Sequence, residues 1–202
     1  MTHPAFSRSE YDRRLSLTRT AMAKRGIDIL FVTDPSNQAW LTGYDGWSFY
    51  VHQGVIVTLD RDPIWWGRTM DMFGGRRTCW MSHGNIIGYC DHFIQSTEFH
   101  PMADLARIIK DMGYETARLG VELENYYYSA KAHLVLTSEL PKATVIDATA
   151  LVNWQRLIKS TDEIAFIEKA ARISQKVITT AIDRAAPGVR KNDLVADIIH
   201  AG

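Results

Sequence analysis

The side chains most able to do chemistry lie close together, between residues 40 and 52. This stretch holds two Trp, two Tyr, one Phe, one His and one Asp around two glycines, just before an apolar run typical of a strand. Aromatic faces attract organic cations, and a desolvated contact of this kind contributes about 2 kcal/mol. His52 and Asp45 can add hydrogen bonds or charge. The stretch is therefore a pocket wall or a packed corner of the core, and residue types alone slightly favour the packed corner.

The order of the side chains within this stretch indicates two faces. Successive side chains of an extended backbone point to opposite sides. Trp47, Phe49 and Val51 would then lie on one side, and Tyr50 and His52 on the other. One face can fill the core while the other faces a cavity. Trp47 is the hardest of these residues to assign to a face. If its face is core, its truncation would destabilise the domain strongly.

Other catalytic signatures are absent from the sequence. It contains no Gly-x-Ser-x-Gly elbow, P-loop, Gly-x-Gly-x-x-Gly or His-Glu-x-x-His motif. Residues 74–77, two glycines followed by two arginines, predict a solvated loop.

Metal-ligand residue types occur at Cys79, His83, Cys90, Asp91, His92 and His100. Their gaps are irregular, whereas structural zinc sites bring ligands in pairs such as Cys-x2-Cys, so we expect no metal site in this chain.

Composition excludes several classes of protein. Lys+Arg and Asp+Glu are equal at 23 each, so the formal net charge of zero gives no electrostatic reason to expect nucleic acid or an anionic membrane as partner. No apolar run is long enough to span a bilayer, and the N-terminus lacks the apolar core of a signal peptide. Two cysteines are too few for a disulfide scaffold. These features predict a cytoplasmic protein.

The helices and strands that must position these side chains alternate along the chain. Ser9 is the predicted N-cap of a first helix that ends at Gly26. The apolar stripe of this helix consists of Tyr11, Leu15, Thr18 and Met22. A turn is expected at 34–37, and further helices at 102–112 and 126–140. Strands are expected at 27–33, 51–59, 63–67, 85–89, 119–123 and 144–148. This alternation predicts an α/β fold with a mixed sheet flanked by helices.

The last fifty residues have a different character. The first domain is expected at 1–155, and 156–202 are expected to be a linker and the first helices of an incomplete second domain. Ser160 and Glu163 match the capping box at the start of one long amphipathic helix. A second amphipathic helix is expected at 194–201, capped by 191–193. Two such helices without a sheet of their own have little apolar surface to bury against.

Several segments resemble the creatinase/prolidase family, also called the pita-bread or M24 peptidase family. Residues 34–37 followed by 40–44 look like its N-terminal domain, and 157–164 resemble the junction at which its catalytic domain begins. Within the family, 43–53 and 147–156 are most similar to ectoine hydrolases. Those enzymes open the cyclic amidine of ectoine to give an N-acetyl-diaminobutyrate. The resemblance covers the whole chain and implies a creatinase/prolidase-type N-terminal domain followed by the start of a pita-bread domain.

The resemblance also implies how these residues would act. Members of the family are typically homodimers in which the N-terminal domain of one subunit reaches the active site of the other. In creatinase-like relatives an aromatic residue of the corresponding loop contacts substrate, and Phe49 matches it best. The expected substrate-binding residues are Trp47, Phe49, Tyr50 and His52. Ectoine is a zwitterion with a delocalised amidinium, which an aromatic wall suits.

The same resemblance places the catalytic residues beyond position 202. It implies no catalytic residue, metal ligand or cofactor in this chain, and a divalent metal in the full-length enzyme if that enzyme is peptidase-like. The chain alone is expected to be inactive. Two alternatives stay open: the N-terminal part of an Xaa-Pro dipeptidase or aminopeptidase, and a non-catalytic binding module.

Overall fold

The computed structural model describes residues 4–48 and 50–202, and these residues form two compact units that divide between Leu157 and Ile158. The helices of the first unit are α1 (Arg8–Lys24), α2 (Pro35–Thr42), α3 (Thr69–Thr78), α4 (Pro101–Asp111), α5 (Ala130–Glu139) and α6 (Leu151–Arg156). Its strands are β1 (Ile29–Val32), β2 (Gly54–Thr58), β3 (Ile64–Arg68), β4 (Ile86–Tyr89), β5 (Arg118–Val121) and β6 (Thr144–Asp147). Short 3₁₀ turns lie at His83–Asn85 and Asp91–Phe93.

The six strands form one mixed sheet in the order β4-β3-β2-β1-β5-β6. Strand β2 pairs antiparallel with β1 and β3, whereas the β3–β4, β1–β5 and β5–β6 pairs are parallel. The predicted α/β fold with a mixed sheet flanked by helices is confirmed. All six predicted strands are present, each within a few residues of its expected ends, because their apolar β-branched residues suit a sheet covered on both faces.

Two apolar clusters cover the two faces of the sheet. Trp65 and Trp66 are adjacent on β3, so their side chains point to opposite faces, and both are fully buried. Trp65 belongs to the cluster beneath α1, α2 and α6, and Trp66 to the cluster beneath α4 and α5. The indole Nε1 of Trp66 donates to the carboxylate of Asp104 at 2.9 Å. The core therefore lies on both sides of the sheet.

The structure corrects three local predictions. The N-cap of α1 is Ser7, whose side chain accepts from Glu10 N, and not Ser9. Residues 34–37 are not a free turn: Asp34 caps α2 by accepting from Asn37 N, with a proline in the first turn. The same residue types favour turns and helix starts, since both need a local side-chain acceptor and the φ of proline. Residues 74–77 lie within α3 and not in a loop.

A buried carboxylate joins β5 to the start of α2. Glu122 is 3% exposed and accepts hydrogen bonds from Thr33 N at 2.7 Å, Thr33 Oγ1 at 3.3 Å and Asp34 N at 2.8 Å. Its second oxygen accepts from Asn37 Nδ2 at 2.6 Å, and Asn37 Oδ1 accepts from Arg156 Nη1 at 2.7 Å. Burial raises the pKa of Glu122 although these donors oppose the shift. This network fixes α2 against the ends of two central strands.

The second unit contains two helices, α7 (Thr161–Arg184) and α8 (Lys191–Ala201). The predicted capping box is confirmed, since Glu163 N donates to Ser160 Oγ at 3.2 Å and Ser160 N donates to Glu163 Oε2 at 2.7 Å. Helix α8 begins three residues earlier than predicted, at Lys191. Arg184 and Asp197 join the two helices through an ion pair of 2.7 Å.

Candidate functional site

The aromatic stretch begins at the C-terminal end of α2. Gly43 caps this helix in the left-handed conformation, with φ of 81° and its N–H donating to Ala39 O. A Cβ at this position would lie 2.7 Å from Tyr11 Oη and 2.9 Å from the backbone oxygen of Thr78. Glycine is therefore required here both by conformation and by space. It turns the chain sharply into a loop, described here at residues 44–48 and 50–53.

A buried polar cluster holds this loop from below. Ser48 is 3% exposed, and its hydroxyl donates to Gln53 Oε1 at 2.7 Å. The phenol of Tyr44 lies 2.7 Å from Ser48 Oγ and donates to Gln53 Oε1 at 3.3 Å. The Tyr44 ring packs on Trp65 with 4.6 Å between ring centroids, and burial raises the pKa of Tyr44 to about 12. The two ends of the loop are thus anchored in the core through neutral hydrogen bonds.

The structure describes three of the four predicted substrate-binding residues, Trp47, Tyr50 and His52. Trp47 is 81% exposed and Tyr50 is 71% exposed, so both point outward. The prediction of an extended segment with two alternating faces is wrong, because β2 begins only at Gly54 and the buried Ser48 binds back to Gln53. The possibility that Trp47 belongs to the core is also wrong. Phe49 lies outside the described residues.

His52 lies at the inner edge of the loop and is half-buried. Its backbone oxygen accepts from the phenol of Tyr89 at 2.7 Å. Its ring contacts that of His100, with 4.8 Å between centroids. Burial, helped by the charge of His100, lowers the pKa of His52 to about 4. The imidazole is therefore neutral near pH 7 and can both donate and accept hydrogen bonds.

His100 is the N-cap of α4. Its Nδ1 accepts from Met102 N at 3.2 Å, which puts the proton of the neutral ring on Nε2. Burial lowers the pKa of His100, and the charge of Lys131 acts in the same direction. Two neutral imidazoles from separate parts of the chain therefore meet at the base of the loop.

A cavity of about 430 Å³ opens beside this histidine pair. It is lined by Tyr50, Val51, His52, Arg68, Phe93, Ile94, Gln95, Ser96, Phe99, His100 and Pro101. Arg68 makes a bidentate ion pair with Asp91, with both N–O distances at 2.8 Å. These hydrogen bonds lower the pKa of Asp91 and raise the pKa of Arg68. The volume is in the range of small-molecule pockets.

The shifted pKa of His52 predicts a pH dependence of stability. Because the unfolded side chain titrates near 6.5 and the folded one near 4, this group gives full stability above pH 6.5 and loses it as the pH falls to 4. The shift corresponds to at most about 3 kcal/mol. Between pH 6.5 and 4, the wild-type chain should lose more free energy of unfolding than the His52→Gln variant, as measured by urea denaturation at each pH. Parallel pH curves for the two proteins would contradict this expectation.

Of the six residues named above for their metal-ligand side chains, His100 alone lines the cavity. Cys79 is buried, and burial raises its thiol pKa to about 12, while Cys90 is exposed. The His92 ring packs on Phe93, and His83 contacts the backbone oxygen of Arg76. Within 4–48 and 50–202, no group of three or more His, Cys, Asp or Glu side chains could hold a metal ion. No helix in these residues is both long and apolar enough to cross a membrane.

Sequence reasoning missed the far wall of the cavity. Phe93, Phe99 and His100 come from the segment between β4 and α4, and Arg68 from the end of β3. The sequence signal for His100 was its place before a proline, which is typical of a helix start. Nothing in the sequence pairs it with His52, since that contact depends on the packing of β2, β3 and β4.

Comparisons with known proteins identify related sequences along most of the chain. The sequence-family model of the Creatinase/Prolidase N-terminal domain matches residues 14–158 of this chain. Ectoine hydrolase from Halomonas elongata is 49% identical over 198 residues, covering 98% of this chain and 50% of the relative. Creatinase from a Bacillus species is 27% identical over 175 residues, covering 85% of this chain and 39% of the relative. The chain thus spans about half the length of the ectoine hydrolase, and less of the creatinase.

Solved structures of M24 peptidases share the architecture. An Xaa-Pro dipeptidase from Bacillus anthracis superposes with a TM-score of 0.68 at 18% identity, covering 95% of this chain and 48% of that chain. Prolidase from Pyrococcus furiosus gives a TM-score of 0.68 at 17% identity, covering 93% and 51%. At these identities the likeness shows the fold alone. Taken with the family match over residues 14–158, the sheet and its helices show that the chain belongs to the creatinase/prolidase N-terminal domain family.

Proposed function

We propose that this chain is the N-terminal substrate-gating and dimerisation part of a hydrolase that converts ectoine to N-acetyl-diaminobutyrate. The observation that carries the proposal is the 49% identity to an ectoine hydrolase along nearly the whole chain. Hydrolysis adds water across the ring amidine, with the oxygen going to carbon and a proton to nitrogen as the C–N bond breaks. The groups that carry out this step are proposed to lie outside these 202 residues, so the chain alone is inactive.

The geometry of the loop supports a role in substrate contact. Trp47 and Tyr50 expose 81% and 71% of their surface although both are large aromatic residues. Hydrogen bonds among Tyr44, Ser48 and Gln53 hold the backbone of the loop that carries these two rings. Exposed aromatic residues on a supported loop are suited to bury against a partner or a ligand.

The proposed ligand matches these side chains in charge. A delocalised amidinium is attracted to aromatic faces, and the attraction grows when water is excluded. We propose Trp47, Phe49, Tyr50 and His52 as the contacts, reached across a homodimer in the cytoplasm. The neutral His52 can accept from an amidinium N–H without electrostatic repulsion.

Substrate competition in the complete protein tests the proposed function. Ectoine and an Xaa-Pro dipeptide are supplied separately, with and without a chelator, and product formation is measured by mass spectrometry. We expect ectoine to be hydrolysed and the dipeptide to be left intact, with no turnover by the 202-residue chain alone. Chelator-sensitive cleavage of the dipeptide alone would favour an Xaa-Pro dipeptidase. Turnover of neither compound would favour a binding module. Ectoine turnover by the short chain would contradict the proposed location of the catalytic groups.

A further inference from the structure

We propose that the cavity beside the histidine pair is a subsite for the carboxylate of a small zwitterion, bound by His100 and Arg68 between the rings of Tyr50 and Phe99. Its ligand is identified as ectoine only through the proposed function, on which this inference rests. The carboxylate subsite shares Tyr50 and His52 with the contacts proposed for the loop, and it adds Arg68, Phe99 and His100 to them.

The hydrogen-bond donors of the lining suit a carboxylate. Arg68 is the one ionised side chain among the described residues that line the cavity. Its Nε and Nη2 are held by Asp91, which fixes the plane of the guanidinium. Nη1 has no hydrogen-bond partner among the described residues and can donate to a ligand. A planar guanidinium held by a carboxylate on one edge keeps donors directed at the other edge.

A second donor is supplied by His100. Because its Nδ1 accepts from Met102 N, its Nε2 carries a hydrogen, and this hydrogen has no acceptor among the described residues. The ring of His52 lies 4.8 Å from it by centroids and also has no hydrogen-bond partner in the described part of the chain. Two imidazoles and a guanidinium therefore offer unused hydrogen-bonding capacity in one cavity of small-molecule size.

The remaining walls suit the organic body of the ligand. Tyr50 and Phe99 line the cavity and are exposed, whereas Phe93 packs against Phe99 with 6.4 Å between ring centroids. No acidic side chain lines the cavity among the described residues, so the cationic part of a zwitterion would have to face the aromatic rings. This arrangement selects a molecule that carries a carboxylate next to a delocalised or shielded cation.

The helix cap allows binding and folding to be separated at one position. His100→Asn keeps an acceptor for Met102 N, since Asn is among the best N-cap residues, but removes the Nε2–H of a ring that lines the cavity. His100→Ala removes both. We expect the Asn variant of the complete protein to melt like the wild type and to bind ectoine about tenfold more weakly, as one lost hydrogen bond to a charged group implies.

A matched pair of phenylalanines controls for the aromatic wall. Phe99 is 53% exposed and lines the cavity, whereas Phe73 is 59% exposed on α3 and does not line it. Phe99→Ala should weaken ectoine binding severalfold, and Phe73→Ala should leave it unchanged. Neither variant should lower the melting temperature appreciably, because both rings are largely solvated.

The test measures ligand binding directly by titration calorimetry and by the ring resonances of His100. Ectoine should bind and shift these resonances, whereas its methyl ester, which lacks the carboxylate charge, should bind at least tenfold more weakly. The His100→Asn substitution should weaken ectoine binding but not ester binding. Equal affinity for acid and ester, or wild-type affinity in both His100→Asn and Phe99→Ala, would overturn the subsite.

The subsite and the proposed function fail in different ways. A protein that hydrolyses ectoine with unchanged KM in the His100→Asn variant retains the function and loses the subsite. A protein that does not hydrolyse ectoine, but whose His100 resonances shift with ectoine and not with the ester, retains the subsite and loses the function. Absence of both turnover and resonance shifts overturns both.

Discussion

Replacement of Glu122 by Ala should lower the free energy of unfolding by about 3–5 kcal/mol, because it removes the acceptor of a buried charged network. Four hydrogen bonds end on this carboxylate, and two of their donors are backbone N–H groups at the start of α2. Buried donors that lose their acceptor carry the full cost of desolvation. Asn37 would also lose the partner that orients it toward Arg156.

A graded series separates this effect from loss of volume. Glu122→Gln keeps one carbonyl acceptor for Thr33 N and Asp34 N, so we expect an intermediate loss of about 1–2 kcal/mol. Glu124→Ala, two residues away and exposed, should change stability by less than about 0.5 kcal/mol. Urea denaturation followed by tryptophan fluorescence reports this unit, since all six Trp lie before residue 158. Equal stability of Glu122→Ala and Glu124→Ala would show that the network contributes nothing.

The elements that sequence periodicity predicted well are those with an apolar stripe. The stripe of Tyr11, Leu15, Thr18 and Met22 is buried on α1, and the apolar runs became strands. Local hydrophobic patterns report burial, and burial decides these elements. Helix α2 was missed because its cap, Asp34 followed by proline, is equally typical of a turn. The contacts that hold the helix are distant in sequence, such as the bond from Asn37 to Glu122, 85 residues away.

The candidate site was predicted in part. The aromatic stretch was found from composition, but its shape was not, because residue types do not reveal that Ser48 binds back to Gln53 and folds the segment into a loop. The exposure of Trp47 follows from that loop. The contact between His52 and His100 depends on tertiary packing alone. Long-range polar contacts leave no periodic signal in a sequence, so the cavity could be found only in the structure.

Removal of both exposed loop aromatics should weaken catalysis strongly without unfolding the protein. In Trp47→Ala/Tyr50→Ala we expect kcat/KM for ectoine to fall by about 100-fold, as the loss of two cation–aromatic contacts of roughly 1–2 kcal/mol each implies. The effect should appear mainly in KM if the rings bind the cation equally in the ground and transition states. Stability should stay within about 0.5 kcal/mol of wild type, since both rings are exposed.

The kcat/KM of this double variant, measured with ectoine in the complete protein, tests the role of the loop most directly. Tyr126→Ala is the matched control, because Tyr126 is a fully exposed aromatic residue that lies outside the loop. Substrate contact by the loop predicts a fall of about 100-fold in the double variant and wild-type kinetics in the control. A double variant that folds normally and keeps kcat/KM within twofold of wild type would contradict it.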